Sequence, residues 1–282
     1  MLIHRIWRSN LVQLHVSKHV PRLAVDVAKY LFPEMVYAPQ GWYLKNSSSK
    51  GWYETSIARE QEKHWPTLVS NLQGPGPLGL AHYPWSLTRD NRTHHNAMMS
   101  YGYVFALAAR KNERISILDW GGGAGHYYLY SKALLPEVEI DYHCYDVPSL
   151  CELGRKLTPD AHFHDSDAGL ITKQYDLVVS SSSLHYFEDW REIARKLAAF
   201  TGEFLYIARL QTVNRAPSFV AVHRFYSGTE YLSWCLNRQE VVSCVEESGL
   251  ELVREFVFGD TWSTRRFPDK MDSRGFLFRR RR

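Results

Sequence analysis

The sequence predicts an α/β protein built on a doubly wound sheet, and three observations carry that reading. Residues 115–128, ISILDWGGGAGHYY, pass from a buried-strand pattern through three alternating glycines into a helix start. Asp146 stands 21 residues after Gly125, at the end of a second strand-like run. Downstream, strand and helix patterns follow one another through Arg279 in the order such a sheet requires.

The chain has 282 residues and 45% hydrophobic content, which suits one large domain, or one domain with a substantial cap, and can fill a core. We read residues 1–95 as an N-terminal, mainly helical and aromatic-rich cap and residues 96–282 as the sheet domain. In the cap a helix covers Arg22 to Phe32, and turn-rich sequence follows, including Gly74 to Pro77. Trp42, Tyr43, Trp52, Tyr53, Trp65, Tyr83 and Trp85 either pack this segment on the sheet domain or line a pocket, where flat amphipathic rings stack on sugars or aromatic ligands. The polar stretch Asp90 to Asn96 leads into a helix over Ala97 to Arg110, which makes Arg92, His94, His95 and Asn96 pocket candidates.

Ile115, Ile117, Leu118 and Trp120 favour a strand. Gly121, Gly123 and Gly125 allow a tight turn and a close approach of backbone to ligand, and Ala124 to Lys132 then winds as a helix. Such a turn holds a nucleotide-like ligand at the carboxyl end of the strand; a strand-to-helix turn that binds nothing uses the same residues. The spacing separates ligand classes. A dinucleotide fold needs G-x-G-x-x-G to seat a pyrophosphate on the helix N-terminus. Counted from Gly121 the third slot is His126, and counted from Gly123 it is Tyr128.

Glu139 to Tyr145 reads as the second strand. Asp146 follows it at about the ~20-residue offset where an acidic residue accepts both hydroxyl protons of a ribose. An N-cap for the helix opening near Pro148 is its other role. Ala161 to His164 is a third strand, with Asp165, Ser166 and Asp167 at its mouth. Tyr175 to Val179 is a fourth, followed by a loop of small residues and a helix from about Glu188. A fifth strand covers Glu203 to Leu210, a helix Gln239 to Ser248, a sixth strand Leu250 to Phe258 and a seventh Arg274 to Arg279.

Asp119-x-Gly121-x-Gly123-x-Gly125 resembles the glycine-rich signature of the class I S-adenosylmethionine-dependent methyltransferases, and Tyr175 to Trp190 continues the likeness. The resemblance spans residues 95–282. It implies a Rossmann-like sheet of seven strands with a terminal antiparallel hairpin, and S-adenosylmethionine as cofactor. It places the donor on Asp119, Gly121, Gly122, Gly123, Gly125, Asp146 and Val147, with one of Asp165, Ser166 and Asp167 toward the adenine amino group. The loop with Ser180 and Ser181 passes under the methyl donor, and Leu184 and His185 face the substrate. A narrower resemblance, carried by LDWGGGAGHYY, YDLVVSSSSLHYFEDW, PSFV at 217–220, TEYLSWCLNR and LVREF, is to a bacterial family of methyltransferases, often associated with surface-polysaccharide or specialised-metabolite synthesis.

Composition excludes several classes. Cys144, Cys151, Cys235 and Cys244 form no C-x-x-C pair, which argues against a zinc knuckle or a thioredoxin-like site and for reduced thiols in a cytoplasmic protein. No apolar run approaches the ~20 residues of a membrane span, and residues 1–20 are too interrupted by charge for a secretory signal. That segment reads as a helix packed on the body of the protein; weak membrane contact through Ile3, Ile6, Trp7, Leu11 and Leu14, beside Arg5, Arg8 and Lys18, is the alternative. A net charge of +4, partly from the solvated-looking run Arg279 to Arg282, gives no broad phosphate-binding face, so nucleic acid is not the expected substrate. His162, His164, Asp165 and Asp167 invite a metal reading, but magnesium prefers carboxylates and waters and zinc a tighter ligand set, so no metal is expected.

Methyl transfer from a sulfonium needs an aligned nucleophile and, for a hydroxyl, a base. Alignment can supply ~7–11 kcal/mol, and a positioned base about 10²–10⁴-fold. His185 is the first choice of base, since imidazole titrates near neutral pH and its loop follows the fourth strand. His126, His94, His95 and His223 compete, and His185 packing the next helix is the structural alternative. The acceptor class is a small molecule or a glycan, methylated at oxygen. A nicotinamide oxidoreductase is disfavoured by His126 in the third glycine slot, and a non-catalytic partner-binding module by the glycines together with Asp146.

Overall fold

A computed structural model of the chain describes residues 33–43, 51–53, 55–76, 78, 92–170, 173–224, 230–259 and 262–281. The helix read at Arg22 to Phe32, the amphipathic segment at residues 1–20, Tyr83 and Trp85 lie outside them. The strands are β1 (Met35–Tyr37), β2 (Arg114–Trp120), β3 (Glu139–Tyr145), β4 (His162–His164), β5 (Tyr175–Ser181), β6 (Thr201–Val213), β7 (Phe219–Arg224), β8 (Glu230–Asn237), β9 (Leu250–Val257), β10 (Thr264–Arg265) and β11 (Asp272–Arg280). The helices are α1 (Thr55–Gln73), α2 (Arg92–Ala109), α3 (His126–Leu134), α4 (Pro148–Leu157), α5 (Trp190–Phe200) and α6 (Arg238–Glu246). None of the described helices is long and apolar enough to cross a membrane.

Seven strands form the central sheet in the order β4-β3-β2-β5-β6-β11-β9. β4 through β6 are parallel, and β11 runs antiparallel between β6 and β9. Each side of this sheet has its own apolar layer, as a doubly wound architecture requires. Ile115, Ile117, Tyr142, Cys144 and Leu177 meet helices α1 to α4 through Leu68, Tyr101, Phe105, Tyr130 and Leu153. Leu118, Val178, Leu205, Ile207 and Phe278 meet α5 and α6 through Trp190, Leu197, Val241 and Val245. All four cysteines are free and buried.

A second, four-stranded sheet extends from β6 and is absent from the sequence reading. β8 joins β6 in parallel at Thr212 and Val213, β7 runs antiparallel to β8, and β1 lies between β7 and β10. Phe219 and Val220 of PSFV and Glu230 to Asn237 of TEYLSWCLNR therefore lie in strands. β8 hides its period because Tyr231, Ser233 and Cys235 are buried on one face while the other carries half-buried Leu232 and Trp234 and buried Leu236, with Trp42 stacked on Trp234. Apolar residues on both faces erase the alternation that marks a strand. β1 also places a strand within the segment read as mainly helical.

The basic run at the C-terminus is likewise structural. Arg279 pairs with Glu251 at 2.6 Å, and Arg280 donates from Nε to the Thr201 carbonyl at 3.1 Å and from Nη2 to the Ala198 carbonyl, capping the end of α5. The solvated-end reading fails there, because these arginines continue β11 into the sheet.

The packing of α4 on β4 is tight enough to test. A Cβ on Gly154 would fall inside the Phe163 ring. Alanine gains ~1 kcal/mol of helix propensity over glycine, but overpacking a core costs about 1–3 kcal/mol. Gly154→Ala is therefore expected to lower the melting temperature by a few degrees; an unchanged or higher value in a thermal melt would show that this interface yields.

Candidate functional site

The turn between β2 and α3 needs its glycines. Gly121, Gly123 and Gly125 have φ of 77°, 63° and 91°, the left-handed region that L side chains avoid. Gly122 is required by contact instead, since a Cβ there would overlap the Asp119 carboxylate and the Cys144 sulfur. Asp119 thus lies beneath the turn. It is buried, accepts a hydrogen bond at Oδ2 from the Tyr142 hydroxyl, and has no partner for Oδ1 among the described residues. Burial pushes its carboxyl up to about 7.

Asp146 ends β3 and reaches back across the sheet. Its Oδ2 accepts from the Gly123 N–H and its Oδ1 from the Val147 N–H, each at 2.7 Å. Val147, not Asp146, is the N-cap of α4, and no side chain caps that helix. The carboxylate is turned to the glycine turn rather than along the helix, and burial raises it to about 6. Asp165 and Ser166 stand exposed past β4. Asp165 pairs with Arg155 at 3.7 Å, and the Ser166 hydroxyl accepts from the Ala168 N–H at 3.4 Å.

The loop after β5 is tied to the same place. The Ser183 hydroxyl donates to the Trp120 carbonyl at 2.7 Å and lies 2.8 Å from the Ser180 hydroxyl. Ser181 accepts from the Tyr127 hydroxyl on α3 at 2.9 Å. Sequence reasoning missed two parts of this arrangement. Gln61 on α1 accepts from the Ala124 N–H at 3.2 Å, so the N-terminal helix touches the turn itself. Trp65, one turn further on, packs edge-on to the buried His126 ring at 4.9 Å. A single glutamine in an amphipathic helix carries no sequence signal.

His185 sits in a 3-10 turn over Leu184–Tyr186. It is fully buried, and neither ring nitrogen has a hydrogen-bond partner among the described residues. Burial, reinforced by His223 and Arg209, lowers it to about 3, so the ring is neutral and a far weaker base than an ordinary imidazole. The second sheet supplies its surroundings. His223 of β7 lies 3.1 Å from the Tyr186 hydroxyl through Nδ1. Trp52 packs on Tyr186 and on Tyr231 of β8, both at 5.1 Å, and Trp262 packs edge-on to His223 at 5.0 Å. His185 and His223 therefore come together. His94 and His95 lie half-buried at the start of α2, and Asn96, Tyr43 and Tyr53 are exposed.

The histidine cluster on the sheet edge is differently composed from the one in the sequence reading. Asp141, His143 and His162 bring ligand atoms within 4.8 Å of one another. They are engaged with one another and with Lys173, whose Nζ lies 2.6 Å from Asp141 Oδ2, while His164 Nε2 lies 3.0 Å from His143 Nδ1.

The buried carboxyl under the turn sets a pH dependence. Asp119 ionises near 3.8 in an exposed chain and near 7 in the fold, so the native state binds the extra proton in between, and this group's contribution weakens stability as pH rises through that window. Asp119→Asn keeps an acceptor for Tyr142. It is expected to raise stability above pH 7 by up to about 4 kcal/mol, and to leave it unchanged near pH 4. Denaturant melts at both pH values test this, and equal stability above pH 7 would show that Asp119 is not held protonated.

No protein-family model matches the chain, and no curated protein matches it in sequence. Solved structures similar to it include the magnesium protoporphyrin IX methyltransferase of Synechocystis PCC 6803 with bound S-adenosylhomocysteine, at 13% identity and a TM-score of 0.48, covering 81% of this chain and 100% of that one. An S-adenosylmethionine-dependent methyltransferase from Methanosarcina mazei is 16% identical with a TM-score of 0.45, covering 60% and 93%. The mitomycin 7-O-methyltransferase is 16% identical with a TM-score of 0.44, covering 82% and 69%. At such identities the likeness extends to the fold alone.

Proposed function

We propose that the chain is an S-adenosylmethionine-dependent methyltransferase that acts at oxygen on a small-molecule or glycan acceptor. The observation that carries this reading is the glycine turn joined to Asp146. Three left-handed glycines present backbone with no side chain in front of it. Each oxygen of Asp146 accepts one N–H and so keeps a lone pair for a hydroxyl of a ribose. The third slot of a dinucleotide turn is instead the buried His126. These residues fit a nucleoside without a pyrophosphate.

In this reading Gly121, Gly122, Gly123, Gly125, Asp146 and Val147 hold the nucleoside, with Asp165 and Ser166 toward its base and Ser180 and Ser181 beneath its far end. Asp119 acts from below, by fixing the turn. When bound, the donor supplies a methyl group already activated on a sulfonium. The chain's own task is alignment, and the walls at half-buried Tyr186 and buried His223 and Tyr231 suit it. His185 faces the acceptor as a neutral ring able to donate or accept one hydrogen bond. An acceptor from polysaccharide or specialised-metabolite synthesis fits the aromatic wall, since flat rings stack on sugars and on aromatic molecules alike.

Calorimetry with S-adenosylmethionine and S-adenosylhomocysteine is expected to give micromolar binding, with none for NADH. Asp146→Ala should weaken the first two at least tenfold while His185→Ala leaves them unchanged. Equal affinity for NADH, or donor affinity untouched by Asp146→Ala, would remove the reading.

A further inference from the structure

Arg209 lies in β6 directly after Ala208, whose carbonyl accepts from the Ser182 N–H at 2.9 Å. Both Arg209 and Ser182 are non-glycine residues in the left-handed region, with φ of 51° and 56°. The register of β6 against β11 shifts at this point, with Ala208 and Arg209 lying opposite Gly275, and this bulge aims the arginine away from an ordinary strand direction, as bulges beside active sites do. Arg209 Nε is enclosed and has no hydrogen-bond partner, and no carboxylate pairs with this guanidinium among the described residues. Arg191, Arg238 and Arg279 each pair with a glutamate. Ala208, the neighbour of Arg209, lies in register with Ser181 of β5, which accepts from the Tyr127 hydroxyl of α3, and the charge of Arg209 acts on Tyr127, on Tyr206 of β6 and on His185.

We infer that the acceptor is a carboxylic acid, bound as its anion by Arg209 and methylated on the carboxylate to give a methyl ester. This rests on the methyl-transfer reading above. A partly buried guanidinium without a counter-ion among the described residues calls for one from the ligand, and its planar fork matches a carboxylate. The chemistry is also suited to the histidines present. A carboxylate oxygen forms the bond to the methyl carbon as that carbon's bond to sulfur breaks, and the electron pair stays on sulfur. One anion and one cation become two neutral products, and no proton has to be carried away. A hydroxyl acceptor would release a proton beside His185 and His223, which burial holds near 3.

The test uses the full chain and begins with S-adenosylhomocysteine affinity of the native protein, whose absence would refute the methyl-transfer reading itself. The saturated protein is then titrated with acetate, benzoate and phenylacetate, and with benzyl alcohol as the neutral counterpart of benzoate. At least one acid should bind, with benzoate favoured tenfold or more over benzyl alcohol. Arg209→Gln should abolish that preference without moving S-adenosylhomocysteine affinity more than twofold, and Arg209→Lys should retain part of it. Failure of all three acids, or a preference that survives Arg209→Gln, would overturn the proposal. A matching loss of S-adenosylhomocysteine affinity in Arg209→Gln would overturn it as well, by assigning the arginine to the donor's own carboxylate. Label transferred from methyl-labelled S-adenosylmethionine to an acid that binds should be released as methanol by mild alkali; an alkali-stable product contradicts the ester.

Discussion

The bridge from Asp146 to Gly123 is the constraint on which the rest of the site depends. One carboxylate accepts the backbone N–H of the turn after β2 and the N–H of Val147 at the start of α4. It therefore fixes where two helices leave two neighbouring strands. Its partners are backbone groups, so its position is set by the sheet register and not by a second flexible side chain. A hydrogen bond to a charged acceptor contributes about 1.5–3 kcal/mol, and here two such bonds offset part of the desolvation, which still leaves the carboxyl raised to about 6. Asp119, Tyr142 and Gly122 fill the space below, so the turn is braced from both sides.

The second half of the site comes from elsewhere in the chain. β7 and β8 depart from the end of β6, and through them His223 and Tyr231 arrive beside the 3-10 turn that carries His185 and Tyr186. Trp52 from the N-terminal segment closes on the same rings. The central sheet thus carries the glycine turn with Asp146, and the second sheet supplies the rings around His185 and Tyr186. Arg209 and Ser181 stand where the two meet, on adjoining strands of the central sheet.

The parallel strands were legible because they are short apolar runs between turn signals, and the glycine turn because its spacing is diagnostic. Asp146 was legible by offset alone. β7 and β8 were hidden because both of their faces carry apolar residues, one against the core and the other against rings such as Trp42. The role of Arg280 was hidden for a related reason: four consecutive arginines read as solvated charge until a strand register aims one of them at helix carbonyls. His185 was legible as a position. Its chemistry was not, because the burial that packs the ring on Tyr186 removes its capacity to hold a proton. Arg209 follows the apolar run Phe204 to Ala208 in a strand that also carries Glu203, so no charge pattern singled it out, and its meaning depends on a backbone angle that composition does not reveal.

The central claim is that the glycine turn and Asp146 form one built cradle for the donor. Hydrogen–deuterium exchange with and without S-adenosylhomocysteine tests it directly. The account predicts slowed exchange of the amides at 121–125 and 146–147 on addition of the ligand, with β9 at the far edge of the sheet unaffected. Unchanged exchange in the turn, or slowing spread evenly over the chain, would contradict it.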